Sequence, residues 1–282
     1  MYMHWFLFSL SAGFFFATSR LVTRYLLRKK GNALAFTALH DVCASLVILP
    51  LFAFIPWSFP TQAGTWVYFF GIVFFAFLSD WTAFAALKKI EASLYQMIHQ
   101  IRHVLILFGG FLFFGEAVTI MKVFGIMLVI GGVSIALYDG STFLWHRGVW
   151  MTVVSTVCAV IAFVFVKFTV QDFSAPAAAF FELLAVAALS LVFLRGNMRA
   201  IVQEWRWQRW GVVLAGFCFG AFELSLYAAL SVGEISRVIP VTQSALVFAV
   251  LGGILLLQEY ERLAQKIIGT SFLVVSFIFL FL

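Results

Sequence analysis

Six polar side chains fall on one side of a predicted helix over residues 92–115, in a segment that is otherwise apolar. At about 100° per residue they occupy an arc of about 160°. They are Tyr95, Gln96, His99, Gln100, Arg102 and His103. Lipid cannot satisfy such groups, so the arc must face protein or water. Because an arginine in an apolar helix is costly, we favour a cavity wall that binds a substrate. A hydrogen-bonded seam between helices is the alternative.

Two carboxylates interrupt other apolar stretches, Asp80 and Glu223. They can bind the amine of a substrate or carry protons across the membrane, and we predict both roles for them. The alternative is that each is a structural counter-ion to Arg102, Lys167 or Arg20.

Small residues and a proline flank these positions. Gly216 and Gly220 share a helix face with Glu223 and Tyr227, which leaves room beside the carboxylate and the phenol. Pro240 removes a backbone donor in the middle of its helix and predicts a kink. We therefore assign gating or bending to Gly216, Gly220 and Pro240, with simple packing as the alternative.

Further polar and aromatic residues have weaker patterns. Gln243 shares the arc of Pro240 with Ser236, Arg237 and Ser244, and we predict that it contacts substrate. Trp81, Phe84 and Tyr95 can face a planar or cationic ligand, or serve only as aromatic bulk. His40, Asp41 and Glu182 are the remaining ionisable residues within predicted spans, and either a structural His–Asp pair or a second water-filled path accounts for them, so we do not predict them as substrate ligands.

The composition requires that these residues sit on membrane helices. Of 282 residues, 64% are hydrophobic and 11% are charged, against about 45–50% and about 25% in soluble domains. This excludes a water-soluble globule, and the charge of +6 does not imply a nucleic-acid partner. No Cys or His spacing resembles a metal site. No Walker A loop or Ser/His/Asp set is apparent, so we expect no cofactor, metal or catalytic residue.

Loop signals predict an all-α membrane protein with ten transmembrane helices. The predicted spans are about 3–26, 34–55, 65–87, 92–115, 119–138, 146–169, 175–195, 209–231, 235–258 and 263–282. Residues 1–26 are expected to remain as the first span rather than to be cleaved. Lys and Arg concentrate in the loops after the odd-numbered spans, which places these loops in the cytoplasm and both termini outside. The run at Trp205–Trp210 is expected to be an interfacial segment on the basic side.

An internal repeat divides the chain into residues 1–141 and 142–282. Residues 91–116 match residues 234–259 at an offset of 143, with far more identities than the about two expected by chance. The same offset pairs Asp80 with Glu223 and Phe84 with Tyr227. Because each half has five predicted spans, the second half is inverted relative to the first. Inverted repeats are a transporter architecture with the substrate site at the repeat interface.

The motifs that close spans 4 and 9 resemble the EamA-type members of the drug/metabolite transporter superfamily. They are Gly109–Glu116 (GGFLFFGE) and Gly252–Glu259 (GGILLLQE), with Gln258 where glycine is usual. Glycines follow each motif at Gly125, Gly131-Gly132 and Gly269. The resemblance implies transport through a central cavity lined by spans 1, 3, 4, 6, 8 and 9. It does not fix a substrate. We read Glu116 and Glu259 as helix caps.

Together these features predict a secondary transporter of a small polar metabolite, in the bacterial cytoplasmic membrane. Arg102 and His99 would hold an anionic group, and Asp80 and Glu223 an amine or protons. This suits a zwitterion such as an amino acid. The alternative is a cationic metabolite or drug, with Arg102 as a gate. An intramembrane enzyme or a scaffold is a remote third possibility. The expected partners are the substrate, membrane lipid and protons, with the protein a monomer or weak homodimer.

Overall fold

A computed structural model of the chain describes residues 4–28, 31–54, 57–115, 119–138, 146–242 and 244–281, without the side chains at 110, 114, 236, 240, 280 and 281. Over these ranges the chain is helical and has no strand. The predictions for Glu116 and Gln243 lie outside the described residues, and Pro240 is described by its backbone alone.

The described helical segments of the first half are α1 His4–Leu27, α2 Ala33–Ile48, α3 Ala63–Leu87, α4 Ala92–Ile98, α5 Arg102–Phe114 and α6 Ile120–Leu137. Those of the second half are α7 Arg147–Thr169, α8 Ala175–Phe193, α9 Met198–Gln208, α10 Trp210–Val232, α11 Ile235–Thr242, α12 Ser244–Leu257 and α13 Leu263–Phe281, where α11 and α12 are the described segments on either side of residue 243. A 3-10 turn, Leu49–Ala53, extends α2, and another, His99–Ile101, joins α4 to α5.

Eight segments of the described chain are long and apolar enough to cross a membrane. They coincide with eight of the ten predicted spans, and their ends mostly lie within two residues of the predicted ends. The other two predicted spans correspond to α4 with α5, which is interrupted, and to α13, whose apolar stretch is shorter. The molecule is therefore an all-helical integral membrane protein.

The interruption of span 4 was not predicted. The helix breaks at His99–Ile101, in a stretch without proline or glycine. By the offset of 143 the equivalent stretch of span 9 contains residue 243, which lies outside the described residues.

The long helices pack in pairs, with α1 against α10 and α3 against α7. The helix α2 packs against both α8 and α10, and glycines permit its close approach to α10. A Cβ on Gly216 would lie 2.6 Å from the His40 carbonyl oxygen, and one on Gly220 would lie 2.3 Å from that of Ala44. The sequence analysis expected Gly216 and Gly220 to leave room for the Glu223 side chain. The α2 backbone instead fills the space at these two glycines.

Cationic side chains cap the C-terminal ends of two helices. The Arg24 guanidinium on α1 donates to the carbonyl oxygen of Leu87, the last residue of α3, at 2.7 Å. The Lys167 ammonium on α7 donates to the carbonyl oxygens of Leu230 and Gly233, at the end of α10, at 2.8 and 2.7 Å. Both contacts place positive charge at the negative end of a helix dipole.

The predicted interfacial segment forms the short helix α9, which docks through its polar side. The buried Glu204 carboxylate accepts from the backbone N–H of Asn32 at 2.8 Å, and Gln208 donates to the same carboxylate. Burial raises the pKa of Glu204. Trp205 and Trp207 remain exposed. The helix thus covers the connection between α1 and α2 and turns its tryptophans outward.

Candidate functional site

An ion pair between α1 and α3 lies in the interior of the bundle. The Arg20 guanidinium donates to the Asp80 carboxylate at 3.1 Å, and the two residues are 3% and 6% exposed. The rings of Phe16, Phe84 and Phe219 surround the guanidinium at 4.8–5.1 Å. Two of its nitrogens, Nε and Nη1, are buried without a hydrogen bond to any described residue. The predicted alternative that Arg20 is the counter-ion of Asp80 matches this geometry.

A cavity of about 30 Å³ adjoins the ion pair. It has room for a water molecule and is too small for an amino acid. Its charged and polar lining consists of Arg20, Ser79, Asp80, His99, Glu182 and Glu223. Its apolar lining consists of Phe16, Ala76, Ala159, Ala162, Phe163, Val166, Phe219 and Phe222. Of the predicted substrate residues, Asp80, His99 and Glu223 therefore line the cavity.

The placement of Glu182 corrects the sequence analysis, which did not count span 7 among those that line the cavity. Glu182 lines the cavity and accepts a hydrogen bond from the Tyr227 hydroxyl. Glu223 lines the same cavity and is 7% exposed, and it forms no ion pair or hydrogen bond with the residues the structure describes. Three carboxyl groups thus face one guanidinium, that of Arg20, across a small buried space.

His99 connects this cavity to Arg102. The Thr156 hydroxyl donates to the Thr152 carbonyl oxygen, so it must accept the Nδ1 hydrogen of His99, at 2.7 Å. The Nε2 atom of His99 then accepts from the Arg102 guanidinium at 3.3 Å. This network holds His99 as the neutral Nδ1–H tautomer. Arg102, 2% exposed, does not line the cavity. Its guanidinium contacts the cavity residue His99 and lies 5.7 and 5.8 Å from the ring centres of Phe16 and Phe163, which also line it.

The rest of the polar arc is also enclosed by protein. Tyr95 lies 3.3 Å from the Ser155 hydroxyl, which lies 3.4 Å from that of Ser79. Gln100 accepts from His103 at 3.0 Å. All six members of the arc are at most 3% exposed, as expected of groups that cannot face lipid. The side chain of Gln96 is buried without a partner among the described residues.

Two aromatic residues that were predicted to face a ligand, Trp81 and Phe84, pack against other side chains. Phe84 packs beneath Arg20, and its ring centre lies 4.9 Å from that of His40. Trp81 is half-buried and stacks on Phe77. Neither Trp81 nor Phe84 lines the cavity.

A Ser/His/Asp set, which the sequence analysis did not recognise, lies between α1 and α2. The His40 Nδ1 atom is 2.7 Å from the Asp41 carboxylate, and its Nε2 atom is 3.4 Å from the Ser19 hydroxyl. Ser19 donates to the Ala215 carbonyl oxygen rather than to His40. All three side chains are completely buried and line neither the small cavity nor the larger one at the basic end of the bundle. The set therefore does not present an activated nucleophile to a substrate.

A second cavity, of about 470 Å³, opens at the end of the bundle that contains the basic loops. It lies among Arg24, Glu91, His146, Glu259 and Lys266. Lys266 forms an ion pair with Glu91 at 2.6 Å. Burial raises the pKa of the Glu91 carboxyl, and this ion pair opposes the shift. The cavity is polar and large enough for a metabolite.

Glu259 borders this cavity and caps a helix from a distant part of the chain. Its carboxylate accepts from the backbone N–H groups of Ala92 and Ser93 at 3.0 and 3.2 Å, and from the Ser93 hydroxyl at 2.8 Å. It is also 3.8 Å from the Arg24 guanidinium. The glutamate of the second motif therefore caps α4 in the first half of the chain, rather than its own helix.

Metal-binding chemistry has no counterpart in the described ranges, which contain no group of three or more His, Cys, Asp and Glu side chains placed to hold a metal ion. Cys158 and Cys218 are buried and Cys43 is half-buried, all as free thiols.

The fold and the buried polar centre define a class, that of polytopic helical membrane proteins with a buried polar cavity. The profile of the EamA-like transporter family matches residues 3–138 and again residues 146–282. The chain belongs to this family, and hence to the drug/metabolite transporter superfamily. No curated protein matches the sequence. A solved crystal structure superposes with a TM-score of 0.66 over 98% of this chain and 95% of the other, at 16% identity, which shows the fold alone.

Proposed function

We propose that the protein is a secondary-active transporter of a small polar metabolite in the bacterial cytoplasmic membrane. Its ten membrane-spanning segments form two inverted five-helix repeats, residues 1–141 and 142–282, that alternate access to a site between them. It works as a monomer or weak homodimer surrounded by lipid, with both termini outside and protons as the coupling ion.

The helix-end contacts support the repeat. Arg24 and Lys167 are 143 residues apart, and so are their acceptors Leu87 and Leu230. The offset found in the sequence thus relates two equivalent contacts, one in each half.

The inversion is supported by where these contacts lie. His146, just before α7, lines the same large cavity as Arg24. From there α7 runs for 23 residues, roughly 34 Å, before it ends beside Lys167. The Arg24 and Lys167 contacts therefore occupy opposite ends of the bundle, as inverted repeats require.

The position of the small cavity is the observation that carries the transport proposal. Its charged lining comes from both halves, with Arg20 and Asp80 from the first and Glu182 and Glu223 from the second. A buried site between repeats, closed in one state and exposed in another, is what alternating access needs. The large cavity at the basic end offers a path to one side of the membrane.

The chemistry of the lining favours a substrate with an amine. In the zwitterion form of the proposal, Asp80 and Glu223 take the amine or protons, and Arg20, whose Nε and Nη1 have no hydrogen bond to a described residue, takes the carboxylate. His99 lines the site while Thr156 and Arg102 engage its two ring nitrogens. Arg102 acts by orienting His99. The alternative of a cationic substrate is favoured by the three carboxyl groups that face one guanidinium.

Counterflow of labelled metabolites into proteoliposomes tests the proposal. We expect exchange of at least one amino acid or amine, and its loss in the double variant Asp80→Asn with Glu223→Gln. Uptake that persists in this variant with unchanged pH dependence would exclude the two carboxyl groups as proton carriers. Absence of flux across amino acids, amines and other small polar metabolites would contradict transport itself.

A further inference from the structure

The repeat offset reveals a missing charge in the second half. Asp80 corresponds to Glu223 by the offset of 143, but Arg20, the partner of Asp80, corresponds to Phe163. Each half therefore places a carboxyl group at the same position. Only the first half supplies a cation to neutralise it.

The aromatic surroundings of that cation are missing as well. Phe16 and Phe219 pack on the Arg20 guanidinium, and by the same offset they correspond to Ala159 and Ala76. Beside Glu223, two methyl groups and one ring thus take the places that two phenyl rings and a guanidinium hold beside Asp80. This substitution removes volume beside Glu223.

The small cavity lies where this volume is missing. Ala76, Ala159 and Phe163 all line it, together with Glu223. The Glu223 carboxyl has no ion pair or hydrogen bond within the described part of the chain, although it is more than nine-tenths buried. An unpaired carboxylate in such a place is costly, and a cation beside it removes that cost.

We propose that the space beside Glu223 is a subsite for a small organic cation, or for the ammonium group of a larger metabolite, and that the cavity widens from about 30 Å³ when the site opens to admit it. The bound cation takes the place that the Arg20 guanidinium holds beside Asp80. Glu223 supplies the opposite charge, and Phe222 supplies an aromatic wall. Glu182, on the same cavity, adds negative charge near the subsite. The assignment rests on the proposed transport function and specifies the substrate class.

Restoring the missing guanidinium tests the subsite. In the variant Phe163→Arg, the new side chain should pair with Glu223 and occupy the site, whereas the matched control Phe163→Leu leaves the site open. The thermal unfolding of purified protein is followed with ethanolammonium, tetramethylammonium and ammonium chlorides, against sodium chloride of equal ionic strength. We expect at least one of the first two salts to raise the unfolding temperature of the native protein and of Phe163→Leu. The apparent affinity should be at least about tenfold weaker in Phe163→Arg and in Glu223→Gln, a factor that corresponds to about 1.4 kcal/mol.

A comparison of the two equivalent acids tests the charge assignment even if Phe163→Arg does not fold. Asp80→Asn leaves Arg20 buried without its partner and should lower the unfolding temperature. Glu223→Gln removes an unpaired carboxyl group and should leave the temperature unchanged or raised. Equal losses in the two variants would show that Glu223 has a structural partner and would overturn the proposal.

The remaining outcomes separate this site from the proposed function. Cation binding with the same affinity in the native protein, in Phe163→Arg and in Glu223→Gln would refute the subsite. So would an unfolding temperature that neither ethanolammonium nor tetramethylammonium changes. If counterflow of another metabolite is intact in those cases, the transport function stands. Cation binding that depends on Glu223 without any flux would support the subsite and refute transport.

Discussion

Replacing Glu259 by glutamine removes one of the two carboxylate oxygens that hold the start of α4. In the native protein Oε1 accepts from the Ala92 N–H, and Oε2 accepts from the N–H and the hydroxyl of Ser93. The glutamine amide nitrogen cannot accept a hydrogen bond. The variant therefore leaves at least one backbone donor at the α4 terminus unsatisfied, and it loses the attraction of Arg24.

The expected cost follows from the kind of bond that is lost. A hydrogen bond to a charged group contributes roughly 1.5–3 kcal/mol, and Glu259→Gln loses one such bond and weakens the others. Glu259→Ala loses all three, so it should cost about twice as much. Water in the adjoining cavity can replace part of the loss, which limits the effect of either change.

Thermal unfolding of the purified protein, read from tryptophan fluorescence, measures the effect. At about 2–4 °C per kcal/mol, the loss of about 1.5–3 kcal/mol in Glu259→Gln should lower the unfolding temperature by about 3–12 °C. Glu261→Gln is the matched control, because Glu261 lines the same cavity but is exposed. Its effect should stay within about 0.5 kcal/mol.

Two results would refute this account of Glu259. If both glutamine variants unfold at the native temperature, the carboxylate does not stabilise the α4 terminus. If Glu259→Gln abolishes counterflow without changing stability, Glu259 acts in transport rather than as a cap.

Two further predictions concern packing and pH. Gly220→Ala should lower the unfolding temperature, because its Cβ would lie 2.3 Å from the Ala44 carbonyl oxygen, whereas Gly64→Ala, with nothing within 4 Å, should change it little. Equal stability of these two variants would contradict the close packing of α2 on α10. The Asp172 carboxylate accepts several hydrogen bonds, that of the Gln62 N–H foremost, and these lower its pKa below the ordinary value of 3.8. Its stabilisation is therefore present above about pH 4 and is lost as pH falls through the lowered value. Between about pH 5 and about pH 2.5 the unfolding temperature should fall more for the native protein than for Asp172→Asn, and parallel curves would contradict this.

The helices were predictable because hydropathy alone requires them. An apolar run must satisfy its own backbone within lipid, so its length fixes the span, and most observed ends lie within two residues of those expected. The burial of the polar arc followed from the same principle. The family could be identified from the two glycine–glutamate motifs, and the family profile confirms it.

Contacts between distant helices were not predictable in the same way. Glu259 caps α4 across 166 residues of sequence, and nothing local to either segment signals that contact. Gly220 shares a helix face with Glu223, and only the position of α2 shows that backbone fills the space beside Gly220. The break at His99–Ile101 likewise has no local breaker residue.

One signal in the sequence was available and went unused. The repeat offset, when extended to the first span, pairs Arg24 with Lys167 and Arg20 with Phe163. The first pair supports the symmetry of the halves, and the second shows where the symmetry fails. The structure places Phe163, where the symmetry fails, at the cavity beside Glu223.

Side-specific thiol labelling of the small cavity tests alternating access most directly. A single cysteine is introduced by Ala159→Cys after Cys43, Cys158 and Cys218 are replaced, and a membrane-impermeant maleimide is added to one side of proteoliposomes at a time. Ala159 lines the cavity, whereas Ala177, completely buried and away from it, provides the control position. Alternating access predicts that the maleimide reaches position 159 from either side, while position 177 is reached from neither. Labelling of position 159 from one side only, in every condition that supports flux, would contradict the mechanism.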